Sequence, residues 1–176
     1  MTSSPTTPGP ETDGLARFNA LPEAEAAAVL HEMCASSAWG IALLARRPFA
    51  TADDLLAASD AAMAGLTTAD LEEAMAGHPP IGRPKPGDPA SSREQRGVAG
   101  ASDDLKAEML ELNLAYQERF GHVFLICATG LTGEQMRDAV KTRIGNAPQQ
   151  ERDIVRTELG KINRIRLNRL LEEGTA

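Results

Sequence analysis

The chain has 176 residues, of which 42% are hydrophobic, 24% are charged and only 3% are aromatic. A chain of this length can bury a core, which must be built mostly from aliphatic side chains. Its net charge of −7 argues against nucleic-acid binding, which needs a basic face. No apolar run approaches the roughly 18 residues that would span a bilayer, so we expect no membrane partner.

The N-terminal residues 1–14 contain, after Met1, only small, polar, proline and glycine residues. They offer nothing to bury, so we expect a disordered tail followed by one domain over residues 15–173. The chain has two cysteines and no secretory apolar segment at its start, which favours a cytoplasmic location.

From Phe18 onward, apolar residues recur at helical spacing almost throughout the chain. Several helix starts carry a capping signal, in which a hydroxyl residue is followed within one turn by an acidic or amide side chain. These starts lie at Thr51, Thr67, Ser102 and Thr132. The sequence therefore predicts an all-α fold, a single-domain bundle of about seven to eight helices.

Two stretches do not follow the helical pattern. Residues 78–91 contain five prolines and two glycines, which predicts a loop. Residues 123–128 form a lone apolar run with no partner strand elsewhere in the chain. We interpret this run as a buried extended segment.

His78 is the first candidate for chemistry, because it precedes two prolines in a loop that cannot become helical. Glu94 and Gln95 follow it along the chain. An imidazole that titrates near neutral pH, held beside a carboxylate and an amide, is the usual material of an acid–base site. The alternative is that His78 only caps the preceding helix.

Arg166 is the second candidate, because it lies in the middle of an apolar arc of the last helix. That arc is formed by Val155, Leu159, Ile162 and Leu170. Arg166 could bind an anion inside a pocket, since a guanidinium forks onto a carboxylate. It could equally form a structural ion pair or bind helix-end carbonyls, and the sequence leaves both interpretations open.

The histidines and cysteines do not have the spacing of metal ligands, such as HExxH or CxxC, so we predict no metal. Cys34 lies in a helical segment and Cys127 in the apolar run. Both are interpreted as packing residues rather than nucleophiles.

A series of short motifs, spread along the chain, carries a family resemblance. The matching residues are Phe18-Asn19-Ala20-Leu21, Ser36-Ser37-Ala38-Trp39, Arg47-Pro48-Phe49, His78-Pro79-Pro80-Ile81-Gly82, Ser91-Ser92-Arg93-Glu94-Gln95, Asn113, Tyr116, Phe120-Gly121, Phe124-Leu125-Ile126, Lys161-Ile162 and Arg166-Leu167. In this order they resemble the OHCU decarboxylases of urate breakdown, over residues 16–172. One departure is the proline-rich stretch 83–89, where many members have a plainer loop.

The resemblance implies an all-helical, usually homodimeric and cofactor-free enzyme. Its reaction would convert 2-oxo-4-hydroxy-4-carboxy-5-ureidoimidazoline to (S)-allantoin and CO₂. By motif, the implied catalytic residues are His78, Glu94 and Arg166. The implied substrate-binding residues are Pro79, Ser91, Glu94, Gln95 and the apolar, backbone-contacting wall Phe124, Leu125 and Ile126.

Two other functions compete with this one. The hydrolase that precedes the decarboxylase in urate breakdown is β-rich, which the helical periodicity contradicts. A helical binding or regulatory module without chemistry remains the alternative. It would leave His78 exposed and would give Arg166 a structural role.

Overall fold

The computed structural model of the protein describes residues 11–83, 86–87 and 89–173. Within them the chain forms ten α-helices and no β-strand, which confirms the all-α prediction. None of these helices is both long and apolar enough to cross a membrane. The helices are α1 (Glu11–Ala20), α2 (Glu23–Met33), α3 (Ser37–Leu44), α4 (Ala52–Ala64), α5 (Thr68–Ala76), α6 (Pro89–Glu94), α7 (Arg96–Ala99), α8 (Asp103–Phe120), α9 (Gly133–Arg143) and α10 (Pro148–Glu172).

The count exceeds the predicted seven to eight because α6 and α7 are short, with six and four residues. Helices of one or two turns leave little periodicity in a sequence. The last three residues of the predicted loop 78–91 therefore belong to α6.

Side-chain caps start several helices where the sequence predicts them. At α4 the hydroxyl of Thr51 accepts from the amide of Asp54 at 3.1 Å, and the carboxylate of Asp54 accepts from the amide of Thr51 at 3.2 Å. Thr132 and Gln135 form the same reciprocal pair at α9. Gly121 ends α8 with φ of 78°, a left-handed conformation that favours glycine.

Only the last four residues of the expected N-terminal tail, 11–14, lie within the described part of the chain. These four residues belong to helix α1. Residues 1–10 lie outside the described part of the chain, and the single domain over residues 15–173 stays a prediction. The physical reason for the early start is packing, since Leu15 and Phe18 are buried.

Gly14 contributes to the tail-like composition of residues 1–14, but in the structure it has a packing role. A Cβ atom placed on Gly14 would lie 2.1 Å from the carbonyl oxygen of Leu171. The glycine therefore lets α1 approach the backbone of the last helix directly, where any other residue would clash. Its role is close packing and not chain flexibility.

The described chain divides into two compact units, of which the first runs to Asp70 and resumes at Ile162. Helix α3 packs against α2 and α4 in this unit, with Trp39 fully buried. The indole Nε1 of Trp39 donates to the hydroxyl of Ser59 at 3.1 Å. Arg47 donates to the carbonyls of Phe18 and Leu21, at 2.8 and 3.0 Å, and so ties down the end of α1.

The second unit spans Leu71–Lys161, and α8 packs against α9 within it. Its buried core cluster consists of Ile81, Val98, Met109, Tyr116, Phe124, Ala128, Met136 and Val140. Residues 123–128 are neither helix nor strand, and Phe124 and Leu125 are buried, as the sequence predicts. The core thus joins the loop that carries Ile81 to the apolar segment that carries Phe124.

We expect Gly14→Ala to lower the free energy of unfolding by about 1–3 kcal/mol, because the added methyl forces α1 away from the last helix. Urea denaturation would measure the loss. The matched control is Gly65→Ala, because a Cβ at Gly65 would meet no atom closer than 3.7 Å. Equal stability of the two variants would contradict the packing of Gly14 described above.

Candidate functional site

His78 lies just after the end of α5, at the start of the proline loop. Its backbone amide donates to the carbonyl of Met75 at 3.0 Å and so closes the end of the helix. This bond uses the backbone of His78 and not its imidazole ring. The residue is half-buried, and Pro79 and Pro80 fix the direction of the chain that follows.

Side chains from two helical segments hold the loop after His78. The amide of Gly82 donates to Oε1 of Gln95 at 2.9 Å, and Nε2 of Gln95 donates to the carbonyl of Pro80 at 3.3 Å. Nδ2 of Asn113, on α8, donates to the carbonyl of Ile81 at 2.9 Å. Three consecutive loop residues are therefore each hydrogen-bonded to a side chain, which replaces the backbone pairing that a helix would supply.

Glu94 is the last residue of α6 and is only 9% exposed. It lies next to the buried Gln95 that holds the loop. Burial raises the pKa of the Cys127 thiol, and the negative charges of Glu158 and Glu94 raise it further. Cys127 is thus kept as a thiol, as expected for a packing residue.

Residues 123–128 are held by two charged side chains. Nη1 of Arg143 donates to the carbonyl of Leu125 at 2.9 Å. The amide of Cys127 donates to Oε2 of Glu158 at 2.8 Å. The guanidinium of Arg143 also stacks over the ring of Phe124, with 4.5 Å from its central carbon to the ring centroid. The segment that lacks a partner strand is therefore fixed by side chains.

A buried carboxylate holds Arg143 in place. Nε and Nη2 of Arg143 donate to Oε1 of Glu151, at 2.8 and 2.5 Å. The hydroxyl of Tyr116 donates to the same oxygen at 2.5 Å, and Nδ2 of Asn146 donates to Oε2 at 3.0 Å. Glu151 is completely buried, so these donors replace the water that its charge would otherwise bind. Burial and the Glu151 charge raise the pKa of Tyr116, which stays a donor.

Sequence reasoning did not identify this network as part of the site. Tyr116 contributed only as one of the matching motifs, and Arg143, Glu151 and Glu158 were not singled out. The available signal was weak. Arg143 lies in the last turn of a helix and Glu151 in the first turn of the next, where charges of these signs are ordinary surface features.

Arg166 lies on α10, in the unit that contains the N-terminal helices. It is half-buried, and its Nη1 donates to the carbonyl of Met33, the last residue of α2, at 2.6 Å. Binding to a helix-end carbonyl was one of the two interpretations that the sequence left open. A guanidinium has five N–H donors, so this bond alone does not decide against anion binding.

Most of the other predicted site residues lie in the second unit, Leu71–Lys161. Pro79 belongs to the loop that Gln95 and Asn113 hold, and Phe124 and Leu125 belong to the segment 123–128. Ile126 is partly buried and packs against the core cluster of the second unit. Ser91 lies on α6, but its side chain is outside those that the structure describes. No group of three or more His, Cys, Asp or Glu residues in the described ranges could hold a metal ion.

Comparison with curated proteins identifies two relatives that the chain matches only in part. It is 29% identical over 147 residues to the uric acid degradation bifunctional protein TTL of Arabidopsis thaliana, covering 80% of this chain and 45% of that protein. It is 37% identical over 134 residues to the 2-oxo-4-hydroxy-4-carboxy-5-ureidoimidazoline decarboxylase of Amia calva, covering 72% of this chain and 75% of that protein. The chain therefore spans less than half of the first relative and three quarters of the second.

Solved structures show the same fold. A crystal structure of OHCU decarboxylase in the presence of (S)-allantoin superposes with a TM-score of 0.72 at 28% identity, covering 80% of this chain and 95% of that one. A crystal structure of (S)-allantoin synthase superposes with a TM-score of 0.69 at 20% identity, covering 89% of this chain and 53% of that one. The latter supports the fold alone. The OHCU decarboxylase family model matches residues 19–168, and the chain therefore belongs to this family.

Proposed function

We propose that the protein decarboxylates 2-oxo-4-hydroxy-4-carboxy-5-ureidoimidazoline to (S)-allantoin and CO₂. Family membership supports the proposal, and one observation carries it. The loop after His78 is bonded directly to Gln95, which adjoins the buried Glu94. His78, Glu94 and Gln95, which the resemblance assigns to acid–base chemistry and substrate binding, all belong to the unit Leu71–Lys161. A binding or regulatory module would leave His78 exposed, whereas His78 is half-buried.

The proposed reaction suits a protein that brings no electron sink of its own. Many decarboxylases use a bound cofactor to accept the electrons left by CO₂. In this substrate the carboxylate is on a carbon next to a C=N bond. The electrons of the breaking C–C bond form a C=C bond to the carbon of that C=N group, and the π electrons of the C=N group move onto its nitrogen, which takes up a proton. The product of this step is an enol, which must take a proton on one face to give one enantiomer. The protein has to orient the substrate and move protons.

His78 would be the general acid or base of the reaction. It would either take the proton of the C4 hydroxyl or deliver a proton to the new stereocentre. Glu94 would accept hydrogen bonds from ring or ureido N–H groups and orient the imidazole. Gln95 would read the amide edge of the ring, in addition to holding the loop through Gly82 and Pro80.

The other roles follow from the family resemblance. Arg166 would hold an anionic or carbonyl oxygen of the substrate. Pro79 and Ser91 would belong to the binding loop, and Phe124, Leu125 and Ile126 would contact the substrate mainly through their backbone. We further propose a cytoplasmic homodimer that needs neither metal nor organic cofactor, since the substrate supplies the electron sink.

His78→Asn should reduce kcat by about 10²–10⁴-fold, because asparagine keeps polarity and similar size but cannot exchange a proton. Its stability should barely change, since the two following prolines and the bonds from Gln95 and Asn113 hold the loop. An assay of allantoin formation measures the rate, and chiral analysis of the product measures its stereochemistry. If His78 delivers the proton, residual allantoin should be closer to racemic. Near-normal rate and enantiomeric purity would make His78 a helix-end residue only.

Gln95→Glu should lower the free energy of unfolding by about 1–3 kcal/mol, because it replaces the donor to Pro80 with a buried acceptor. The loosened loop should also lower kcat/KM. The matched control is Gln135→Glu, where the exposed side chain only accepts from Thr132 and glutamate caps equally well. Chemical denaturation and steady-state kinetics measure both effects. Equal behaviour of the two variants would argue against Gln95 as the residue that holds the loop.

Arg166→Leu and Arg166→Lys separate the two interpretations of this arginine. Lysine keeps one charged donor that can reach the Met33 carbonyl but cannot fork onto an anion, so stability should be largely retained. If Arg166 binds substrate, kcat/KM should fall about ten-fold or more in both variants. Each factor of ten corresponds to a loss of about 1.4 kcal/mol in transition-state stabilisation. Unchanged kinetics in Arg166→Lys, with a stability loss only in Arg166→Leu, would make Arg166 structural.

A further inference from the structure

The segment of residues 123–128 has an unusual arrangement of backbone partners around Ile126. The carbonyl before Ile126, on Leu125, accepts from Arg143, and the amide after it, on Cys127, donates to Glu158. Among the described residues, neither the amide nor the carbonyl of Ile126 itself takes part in a hydrogen bond. The N–H donor and the C=O acceptor of Ile126 therefore lie between two backbone groups that side chains hold, the Leu125 carbonyl and the Cys127 amide.

The planarity of the peptide bond links these fixed points to Ile126. The carbonyl of Leu125 and the amide of Ile126 belong to one peptide plane, and the carbonyl of Ile126 and the amide of Cys127 to the next. Both peptide bonds are trans, so the C=O and N–H of each plane point in opposite directions. Arg143 therefore fixes the direction of the Ile126 N–H, and Glu158 fixes the direction of the Ile126 C=O.

We propose that Arg143 and Glu158 are positioning residues, which aim the amide and carbonyl of Ile126 at the substrate. The inference rests on the proposed function, in which this segment contacts the substrate through its backbone. The ligand chemistry that fits is an edge that carries a carbonyl beside an N–H group. Both the ring and the ureido group of the proposed substrate, and of allantoin, supply such an edge.

The two positioning residues differ in how firmly they are held. Arg143 is 7% exposed and is locked by Glu151, which also accepts from Tyr116 and Asn146. The side chain of Glu158 is 13% exposed and pairs at 2.7 Å with Lys161, whose side chain is 57% exposed. Glu158 can therefore be changed without opening the core, which makes it the better position for a test.

Glu158→Ala should raise KM about ten-fold and weaken binding of (S)-allantoin by a similar factor, because the Ile126 carbonyl loses its fixed direction. The value of kcat should fall less than KM rises, since no proton-transferring group is changed. Steady-state kinetics and isothermal titration calorimetry with (S)-allantoin measure these effects. Thermal unfolding of the same samples checks that the protein remains folded.

Two controls separate positioning from charge. Glu158→Gln keeps a carbonyl oxygen that can accept from the Cys127 amide, so KM should stay within about three-fold of the wild type. Lys161→Met removes the ion pair and leaves the carboxylate bonded to Cys127, so KM should not change. If Glu158→Gln raises KM as much as Glu158→Ala, the charge matters rather than the hydrogen bond, and the proposal is wrong.

Arg143→Lys tests the other fixed point. Lysine keeps a positive charge beside Glu151 but has no fork that holds both this carboxylate and the Leu125 carbonyl, so KM should rise. This variant decides the question if Glu158→Ala does not fold. A wild-type protein without decarboxylase activity would reject the proposed function. An active wild type, with KM and allantoin affinity unchanged in Glu158→Ala and Arg143→Lys, would reject only the positioning role.

Discussion

Two partly buried, non-helical segments impose the main constraint on this helical protein. A helix satisfies its own backbone, but the loop after His78 and residues 123–128 have no helical or strand partner. Buried N–H and C=O groups without hydrogen bonds are costly, so other groups must supply them. In both segments the partners are side chains from helices or their ends, namely Gln95, Asn113, Arg143 and Glu158. The candidate site therefore depends on polar side chains that the core has to accommodate.

The most demanding of these arrangements is the ion pair of Arg143 and Glu151. Taking two charges out of water costs several kcal/mol per ion, and their attraction repays this only when the remaining donors and acceptors are satisfied. Here Tyr116, Asn146 and the Leu125 carbonyl complete the network. An apolar pair of similar volume would fill the same space but would leave the Leu125 carbonyl without its donor. The network thus orients a backbone segment as well as contributing to stability.

The helical fold could be predicted from the sequence because its signals are local. The hydroxyl and acidic or amide pairs at Thr51 and Thr132, and the glycine after α8, act within one turn of the chain. The segment 123–128 was also predicted, since an apolar run without a partner strand has few alternatives. The start of α1 was not predictable from composition. Gly14 is explained only by its contact with Leu171, which is distant in sequence.

The same difference between local signals and distant contacts applies to the residues of the candidate site. Proline rigidity and the motif resemblance single out His78, Glu94 and Gln95 in the sequence, but they do not reveal the bonds from Gln95 to Pro80 and Gly82. Arg143, Glu151 and Glu158 were missed because their partners are 18, 8 and 31 residues away, with no period that a sequence pattern reveals. A charged residue near a helix end has the same appearance in a sequence whether it is solvated or buried.

The motifs that indicate the family include many residues that hold the backbone. Asn19 bonds both the carbonyl and the amide of Phe49, at 2.8 and 2.9 Å, and Arg47 bonds the last carbonyls around α1. Asn113 bonds the Ile81 carbonyl, and Tyr116 acts indirectly, through the Glu151 carboxylate that holds Arg143, the donor to the Leu125 carbonyl. Each of these side chains has a fixed reach and a donor geometry that few other residue types reproduce. These motifs can therefore identify the fold, because the fold needs these side chains to hydrogen-bond particular backbone groups. Only a few of the motif residues are proposed to contact the substrate.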